Sequence, residues 1–231
     1  MLPILLAIIG SVVILFVLTP TYLCLSSHYK HKRKAFILKI FTTLISFSYA
    51  LFGYLELSRK NHIQNLAAMI HSPYWVMLGL GLFVLANILL YLHMIAGGLL
   101  LLLGHLAYII FFITLGGFHA VAIVVYTMLC VATLCYFYRY TPAVKRFLHI
   151  FAIYAMCTLV TLALGLLLPF TYGLYGIVPA LASLLLISSD FMFARNKLLQ
   201  ETRFTRRIGL SCYFFSQFLM AMTLYIAAYL T

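Results

Sequence analysis

The sequence predicts an all-α membrane protein: a bundle of about eight transmembrane helices with both termini on the non-cytoplasmic side. Of its 231 residues, 66% are hydrophobic and 8% are charged, and the mean hydropathy is +1.14. Soluble domains are about half apolar and a quarter charged, so lipid must solvate much of this chain. Apolar runs such as 97–103 and 162–168 are continuous. A transmembrane β-barrel would instead need alternating apolar and polar positions, so the predicted spans are helical.

Apolar runs bounded by charged residues, prolines and glycines define the spans of one transmembrane domain covering residues 1–231. The first run has no basic residue before it and no small-residue cleavage pattern, so we expect a retained helix rather than a signal peptide. Tight joins at His93-Met94, Gly116-Gly117 and Pro169-Phe170 predict antiparallel helical hairpins. The eight predicted spans are 2–26, 36–56, 73–92, 95–114, 117–138, 147–168, 171–193 and 209–230.

The orientation follows from the distribution of Lys and Arg over alternate loops. The loops after spans one, five and seven carry twelve of the fifteen basic residues. Only Arg59 and Lys60 lie in loops on the opposite side, and Lys39 lies just inside span two. Basic loops face the cytoplasm, so the twelve-residue side is predicted to be cytoplasmic. We expect a multi-pass protein of a cell membrane, or of the inner membrane in a bacterium, with membrane lipids and no nucleic acid as partners. The oligomeric state is left open.

Three acidic residues occur in the whole chain, and one of them lies inside an apolar span. Glu56 lies at an outer helix end and Glu201 lies in a basic loop. Asp190 lies within span seven, about 6 Å before its end at Arg195. Carboxylates are rare and costly inside membranes, so Asp190 is a candidate functional residue. The alternative is a structural pair or a helix-end residue that reaches water.

Four further polar residues fall in the same inner half of the predicted bundle: Lys39, Asn87, His105 and Gln217. With Asp190 they predict a polar cleft open to the cytoplasm. The alternative is a set of scattered interhelical hydrogen bonds, each contributing about 1 kcal/mol. For Lys39 a further alternative is extension of its ammonium group to the interface.

Motifs for metals and cofactors are absent from the sequence. There is no H-E-x-x-H, no C-x-x-C, no G-x-S-x-G and no P-loop. We expect no metal and no cofactor, and we expect the five cysteines to serve as small packing residues.

Four short stretches resemble motifs of YhhN-type membrane proteins, the lysoplasmalogenase-like family. Residues 187–194 resemble the "iSDs-lla" signature and residues 104–109 resemble "GHl-Yi". Residues 213–217 resemble "Yy-aQ", and 39–43 resemble "KPltt" with Ile40 in place of the proline. The stretch 79–90 departs from the family, because a Gly-Asp pair is replaced by Ala86-Asn87. An acid expected there has become an amide, which cannot exchange a proton.

The resemblance implies cleavage of the vinyl ether bond of a lysoplasmalogen, a lysophospholipid substrate, to a fatty aldehyde and a glycerophospho-alcohol. Protonation of the β-carbon gives an oxocarbenium ion that water traps, so Asp190 is the expected acid or cation-stabilising carboxylate. Asn87 would orient water, and His105 would act as the base, although its deeper placement argues against this. Lys39 is expected to attract the lipid phosphate. Tyr108, Tyr213 and Gln217 are expected to contact substrate.

Two alternatives from other functional classes stay open. The amide at Asn87 is compatible with a member that has lost the reaction and only binds lysolipid. A small transporter would also need intramembrane polar residues, but the chain has one intramembrane acid and no broken-helix Gly/Pro pairs for ion coupling.

Overall fold

The structure, a computed structural model, describes residues 9–10, 12–27, 32–60, 73–138, 148–198 and 202–230. Within these ranges 97% of the residues are helical and no strand occurs. A π-helical stretch, Val13–Leu18, leads into the first helix. The eight helices are α1 (Thr19–Ser27), α2 (Lys32–Lys60), α3 (Pro73–Leu92), α4 (Met94–Gly116), α5 (Ala120–Phe137), α6 (Leu148–Tyr172), α7 (Leu174–Leu198) and α8 (Arg203–Leu230).

Helices α2 to α8 are each long and apolar enough to cross a membrane, which makes the chain a multi-pass membrane protein. They correspond to predicted spans two to eight, and the bounds predicted for α3 are those observed. The first predicted span, 2–26, lies partly outside the described residues, and its described part is helical. Most of the basic loops also lie outside the described ranges. The sidedness of the bundle therefore stays a prediction from charge.

The join predicted at Pro169-Phe170 is wrong. Pro169 lies inside α6, which continues to Tyr172, and the chain reverses at Gly173. Gly173 has φ 57°, a conformation that glycine adopts without steric cost and that commonly ends helices. Proline removes one hydrogen bond of the preceding turn but does not itself reverse the chain. The joins at His93 and Gly117 are confirmed.

Helix α8 lies at the centre of the bundle. It packs against α7 and α2 most extensively, and also against α3 and α1. In its apolar span 67% of the residues are buried, against 6% in α5, which packs mainly against α6. Helices α3 and α4 form one hairpin, α6 and α7 form another, and α4 packs against α6. Residues of α8 can therefore reach both hairpins.

Glycines bring α3 and α4 into close contact. A β-carbon on Gly97 would lie 2.5 Å from the backbone nitrogen of Leu90. One on Gly104 would lie 2.7 Å from the ring of Phe83, and one on Gly79 would overlap the ring of Tyr108. Glycine at positions 79 and 104 thus leaves room for the rings of Tyr108 and Phe83 between the two helices.

Candidate functional site

The centre of the site is a polar contact between His105 on α4 and Asp190 on α7. Nε2 of His105 lies 3.1 Å from Oδ2 of Asp190. The His105 side chain is fully buried, and the Asp190 side chain is 15% exposed. Asp190 is the only acidic side chain in an ion pair among the described residues. Because His105 is enclosed, protons and substrate atoms can reach the pair only from the Asp190 side.

Two residues of α6 complete the surroundings of the imidazole. The hydroxyl of Tyr154 lies 3.3 Å from Nε2 of His105. The hydroxyl of Thr161 lies 3.4 Å from Nδ1 and also donates to the backbone carbonyl of Cys157 at 3.0 Å. Tyr154 additionally interacts with Asp190. All polar partners of His105 therefore come from the α6–α7 hairpin, while His105 itself belongs to the α3–α4 hairpin.

The hydrogen bonds of Thr161 indicate which nitrogen of the His105 ring carries a hydrogen atom. A threonine hydroxyl has one proton, and here it goes to the Cys157 carbonyl. Thr161 then accepts from Nδ1–H of His105. With Nδ1 protonated, Nε2 of His105 faces Oδ2 of Asp190 and the Tyr154 hydroxyl. A proton on either Nε2 or Oδ2 would complete a hydrogen bond between the two side chains.

A second contact group joins α2, α3 and α8. Nδ2 of Asn87 donates to the hydroxyl of Tyr213 at 2.8 Å. The ammonium nitrogen of Lys39 lies 5.3 Å from the centre of the Tyr213 ring, within the range of a cation–π contact. Asp190 interacts electrostatically with Tyr213. Tyr213 thus connects the amide and the cation to the carboxyl group.

A third pair lies one helical turn further along α8. The hydroxyl of Tyr108 donates to Oε1 of Gln217 at 3.1 Å, and both side chains are buried. The ring of Phe83 stacks on Tyr108 at 5.4 Å and meets the ring of His105 edge-on at 5.5 Å. Phe83 also faces Tyr213 at 6.3 Å. This buried aromatic ring is therefore shared by all three groups.

The structure brings the residues predicted for the site into this set of neighbouring contacts. His105 contacts Asp190 directly, whereas Asn87 is connected to that pair through Tyr213. Lys39 lies over Tyr213. Asn87, His105 and Gln217 are at most 2% exposed, whereas Asp190 and Lys39 are partly exposed, so the cluster is enclosed except on the side of these two residues.

The predicted difference in depth between His105 and Asp190 does not keep the two side chains apart, since their nearest atoms lie 3.1 Å from each other. Helix α7 continues to Leu198, so Asp190 lies eight residues, about 12 Å, before its end. His105 lies eleven residues, about 16 Å, after the start of α4 at Met94. Helix α7 thus extends beyond the predicted end of its span at residue 193.

Tyr154 and Thr161 were not predicted. They are seven residues apart on α6, which places them on one helix face, and Thr158 and Gly165 extend that face. Thr158 and Thr161 are buried. A row of hydroxyl-bearing and small residues at helical spacing is the signal that indicates this face, because such residues line interhelical contacts in membranes.

Two buried amide atoms of the cluster, Oδ1 of Asn87 and Nε2 of Gln217, have no hydrogen-bond partner among the described residues. No group of three or more His, Cys, Asp or Glu side chains suited to a metal occurs in the same part of the chain. The arrangement therefore contains the contact between His105 and Asp190, the amino group of Lys39 and these two unpaired amide atoms.

Comparison with known proteins gives one match. No curated protein and no solved structure is significantly similar to the chain. The model of the YhhN family matches residues 34–224, most of the chain, including α3 to α7 and every residue of the cluster. This chain belongs to the YhhN family.

Proposed function

We propose that this protein is a hydrolase of the lysoplasmalogenase type, which cleaves the vinyl ether bond of a lysoplasmalogen. The observation that carries the proposal is the buried His105–Asp190 pair, 3.1 Å apart and enclosed by Tyr154 and Thr161. The YhhN family is associated with hydrolase activity, which supports the same reaction class. Perturbed or paired ionisable groups inside a bundle are the default candidates for proton transfer.

The reaction needs one proton donor and one water molecule. Asp190, as the carboxylic acid, protonates the β-carbon of the vinyl ether, which leaves a positive charge shared by the α-carbon and the ether oxygen. The carboxylate just formed stabilises this oxocarbenium ion. Water adds to the α-carbon and returns a proton to Asp190, giving a hemiacetal. Collapse of the hemiacetal breaks the bond between the α-carbon and oxygen, and releases a fatty aldehyde and the glycerol hydroxyl.

A single carboxyl group can serve both steps because it is regenerated by the proton of the attacking water. This removes the need for an acid at position 87, where the chain has Asn87. His105 holds the carboxyl group of Asp190 in place through Nε2, and its other nitrogen lies 3.4 Å from the Thr161 hydroxyl. A hydrogen bond to one ring nitrogen fixes the orientation of the imidazole and its tautomer.

Lys39 is the proposed contact for the substrate phosphate. Its side chain is half-buried and no carboxylate lies within ion-pair distance of it among the described residues. Its ammonium group lies over Tyr213, which is hydrogen-bonded to Asn87. A phosphate bound there would place the glycerol part of the lipid towards Tyr213 and Asp190, since Asp190 interacts with that tyrosine.

The test is aldehyde release from a lysoplasmalogen by the purified protein in lipid nanodiscs. Asp190→Asn should lower the rate by about a hundredfold or more, because it removes the proton donor. Glu56→Gln is the matched control: it neutralises an acid near the C-terminal end of α2 and should leave the rate unchanged. Equal activity of wild type and Asp190→Asn, or no activity in any variant and headgroup, contradicts the proposal.

Asn87 favours a second candidate function, binding of lysolipid without turnover. An amide cannot accept a proton from water, and this amide is already engaged with Tyr213. In that case the wild type binds lysolipid but releases no aldehyde, and Asn87→Asp creates activity. Aldehyde release by the wild type rules this candidate out.

A further inference from the structure

Tyr154 on α6 contacts both members of the His105–Asp190 contact. Its hydroxyl lies 3.3 Å from Nε2 of His105, and its ring meets the imidazole edge-on with the ring centres 5.5 Å apart. The same side chain interacts with Asp190. Nε2 of His105 and Oδ2 of Asp190 are themselves 3.1 Å apart. One hydroxyl group is therefore placed beside two atoms that can each accept a hydrogen bond.

The hydrogen atoms available to this contact depend on Thr161. Because the Thr161 hydroxyl donates to the Cys157 carbonyl, it accepts from Nδ1–H of His105, and Nε2 of the neutral ring then carries no hydrogen. While Asp190 is a carboxylic acid, its own proton completes the hydrogen bond to Nε2. Once Asp190 has given up that proton, a carboxylate oxygen and a bare ring nitrogen face each other, and both are acceptors.

Two acceptors in contact need a donor between or beside them. The His105 side chain is fully buried and the Asp190 side chain is 15% exposed, so water solvates this contact poorly. An acceptor that is buried without a donor loses the hydrogen bond that it makes in water. The Tyr154 hydroxyl has one proton and lies beside both atoms. Hydrogen bonds to an ionised acceptor are about twice as strong as neutral ones, so this proton goes to the carboxylate.

We propose that Tyr154 is a positioning residue whose hydroxyl donates to Asp190 once this residue has become a carboxylate, and so stabilises the ionised form beside the unprotonated Nε2 of His105. This inference rests on the proposed function, in which Asp190 gives its proton to the β-carbon and takes one back from the attacking water. Tyr154 keeps its own proton throughout, so the proton balance of the hydrolysis is unchanged. The hydroxyl accelerates the reaction because the carboxylate charge develops in the transition state.

Tyr154→Phe removes the hydroxyl and keeps the ring that contacts His105. For the full-length protein in nanodiscs, we expect kcat for aldehyde release from a lysoplasmalogen to fall about tenfold or more, because a hydrogen bond to a charged group is lost. KM should change less than about twofold, since that bond forms only as the carboxylate appears. Tyr175→Phe is the matched control and should keep kcat: its hydroxyl donates to the Thr223 carbonyl at 2.9 Å, fifteen residues from Asp190 on α7.

Thr161→Val tests the hydrogen inventory on which the inference depends. Valine has the shape of threonine but accepts no hydrogen bond, so Nδ1 of His105 loses the partner that keeps it protonated. The ring hydrogen can then move to Nε2 and face the carboxylate. In this background, adding Tyr154→Phe should lower kcat less than about threefold, which a double-mutant cycle measures as coupling between the two sites. A full tenfold loss there contradicts the inference.

Infrared spectroscopy tests the hydrogen bond without any substrate. The carboxylate band of Asp190 is the one that Asp190→Asn removes from the difference spectrum between alkaline and acidic pH. Tyr154→Phe should shift this band, and Tyr175→Phe should leave it in place. An unshifted band, or equal kcat in Tyr154→Phe and Tyr175→Phe, overturns the inference. If the band shifts but the wild type releases no aldehyde, the hydrogen bond is confirmed and only the proposed function is refuted.

Discussion

Replacing Gly104 by alanine introduces a methyl group where the ring of Phe83 already lies. The new β-carbon would be 2.7 Å from Cε2 and 2.9 Å from Cδ2 of that ring. Non-bonded carbons are normally about 3.5–4.0 Å apart, so the ring has to move by about 1 Å. Phe83 is 1% exposed, stacks on Tyr108 and meets His105 edge-on, so no free space is next to it.

Overpacking of this kind in a closed core costs about 1–3 kcal/mol. We expect Gly104→Ala to lower the free energy of unfolding by that amount, measured by denaturant titration in mixed micelles. The matched control is Gly98→Ala on the same helix, where a β-carbon meets nothing within 4 Å. Alanine is the better helix former by about 1 kcal/mol, so the control should be neutral or slightly stabilising.

A second substitution tests whether the Phe83 ring is the cause. In a Phe83→Leu background the ring is absent, so adding the methyl group at position 104 should cost less than about half as much as in the wild type. A double-mutant cycle measures this difference as a coupling energy. The reasoning is refuted if Gly104→Ala is as stable as Gly98→Ala, or if the cost is the same with and without the ring.

Further predictions concern stability at other sites, with Gly98→Ala again as the reference. Gly117→Ala should cost about 1–3 kcal/mol, since φ 73° and ψ 179° lie in a region that essentially only glycine adopts; a variant as stable as the reference would contradict this. Gly53→Ala should lower the free energy of unfolding by about 3 kcal/mol or more, because its β-carbon would lie 2.6 Å from the backbone nitrogen of Tyr225 and push α2 away from α8. Thermal unfolding in detergent measures this loss. Tyr213→Phe should cost about 1 kcal/mol by leaving Asn87 without its partner, and a Tyr213→Phe variant of unchanged stability would show that this bond contributes nothing.

The helices were predictable from sequence because hydropathy identifies spans directly. The α3–α4 join at His93 and the bounds of α3 agree with the prediction. The helix ends that extend beyond the apolar part, as α7 does to Leu198, were not predictable from hydropathy. Backbone hydrogen bonding continues into polar sequence, and hydropathy does not report it. The join predicted at Pro169 is wrong because proline, although it disfavours helix, lies inside α6 and the chain does not reverse there.

The candidate site was only partly predictable. An acid, an amide and an imidazole inside apolar runs are conspicuous, and the structure connects Asp190, His105 and Asn87 through one cluster. Tyr154 and Thr161 are ordinary residues of apolar helices by composition. They belong to the site because their hydroxyls face His105 on α4. This arrangement depends on the packing of α4 against α6, which are distant in sequence.

His105 belongs to the α3–α4 hairpin, whereas all its polar partners belong to the α6–α7 hairpin. This division has a mechanical consequence. The 3.1 Å distance to Asp190 depends on how two hairpins sit against each other and not on the geometry of either one. Moving the two hairpins apart by about 1 Å along the line between the two atoms lengthens this contact beyond hydrogen-bond range. A bilayer whose thickness changes the tilt of the helices would therefore act on this distance. We expect host lipids of different chain length to change the rate of the proposed hydrolysis with the same substrate.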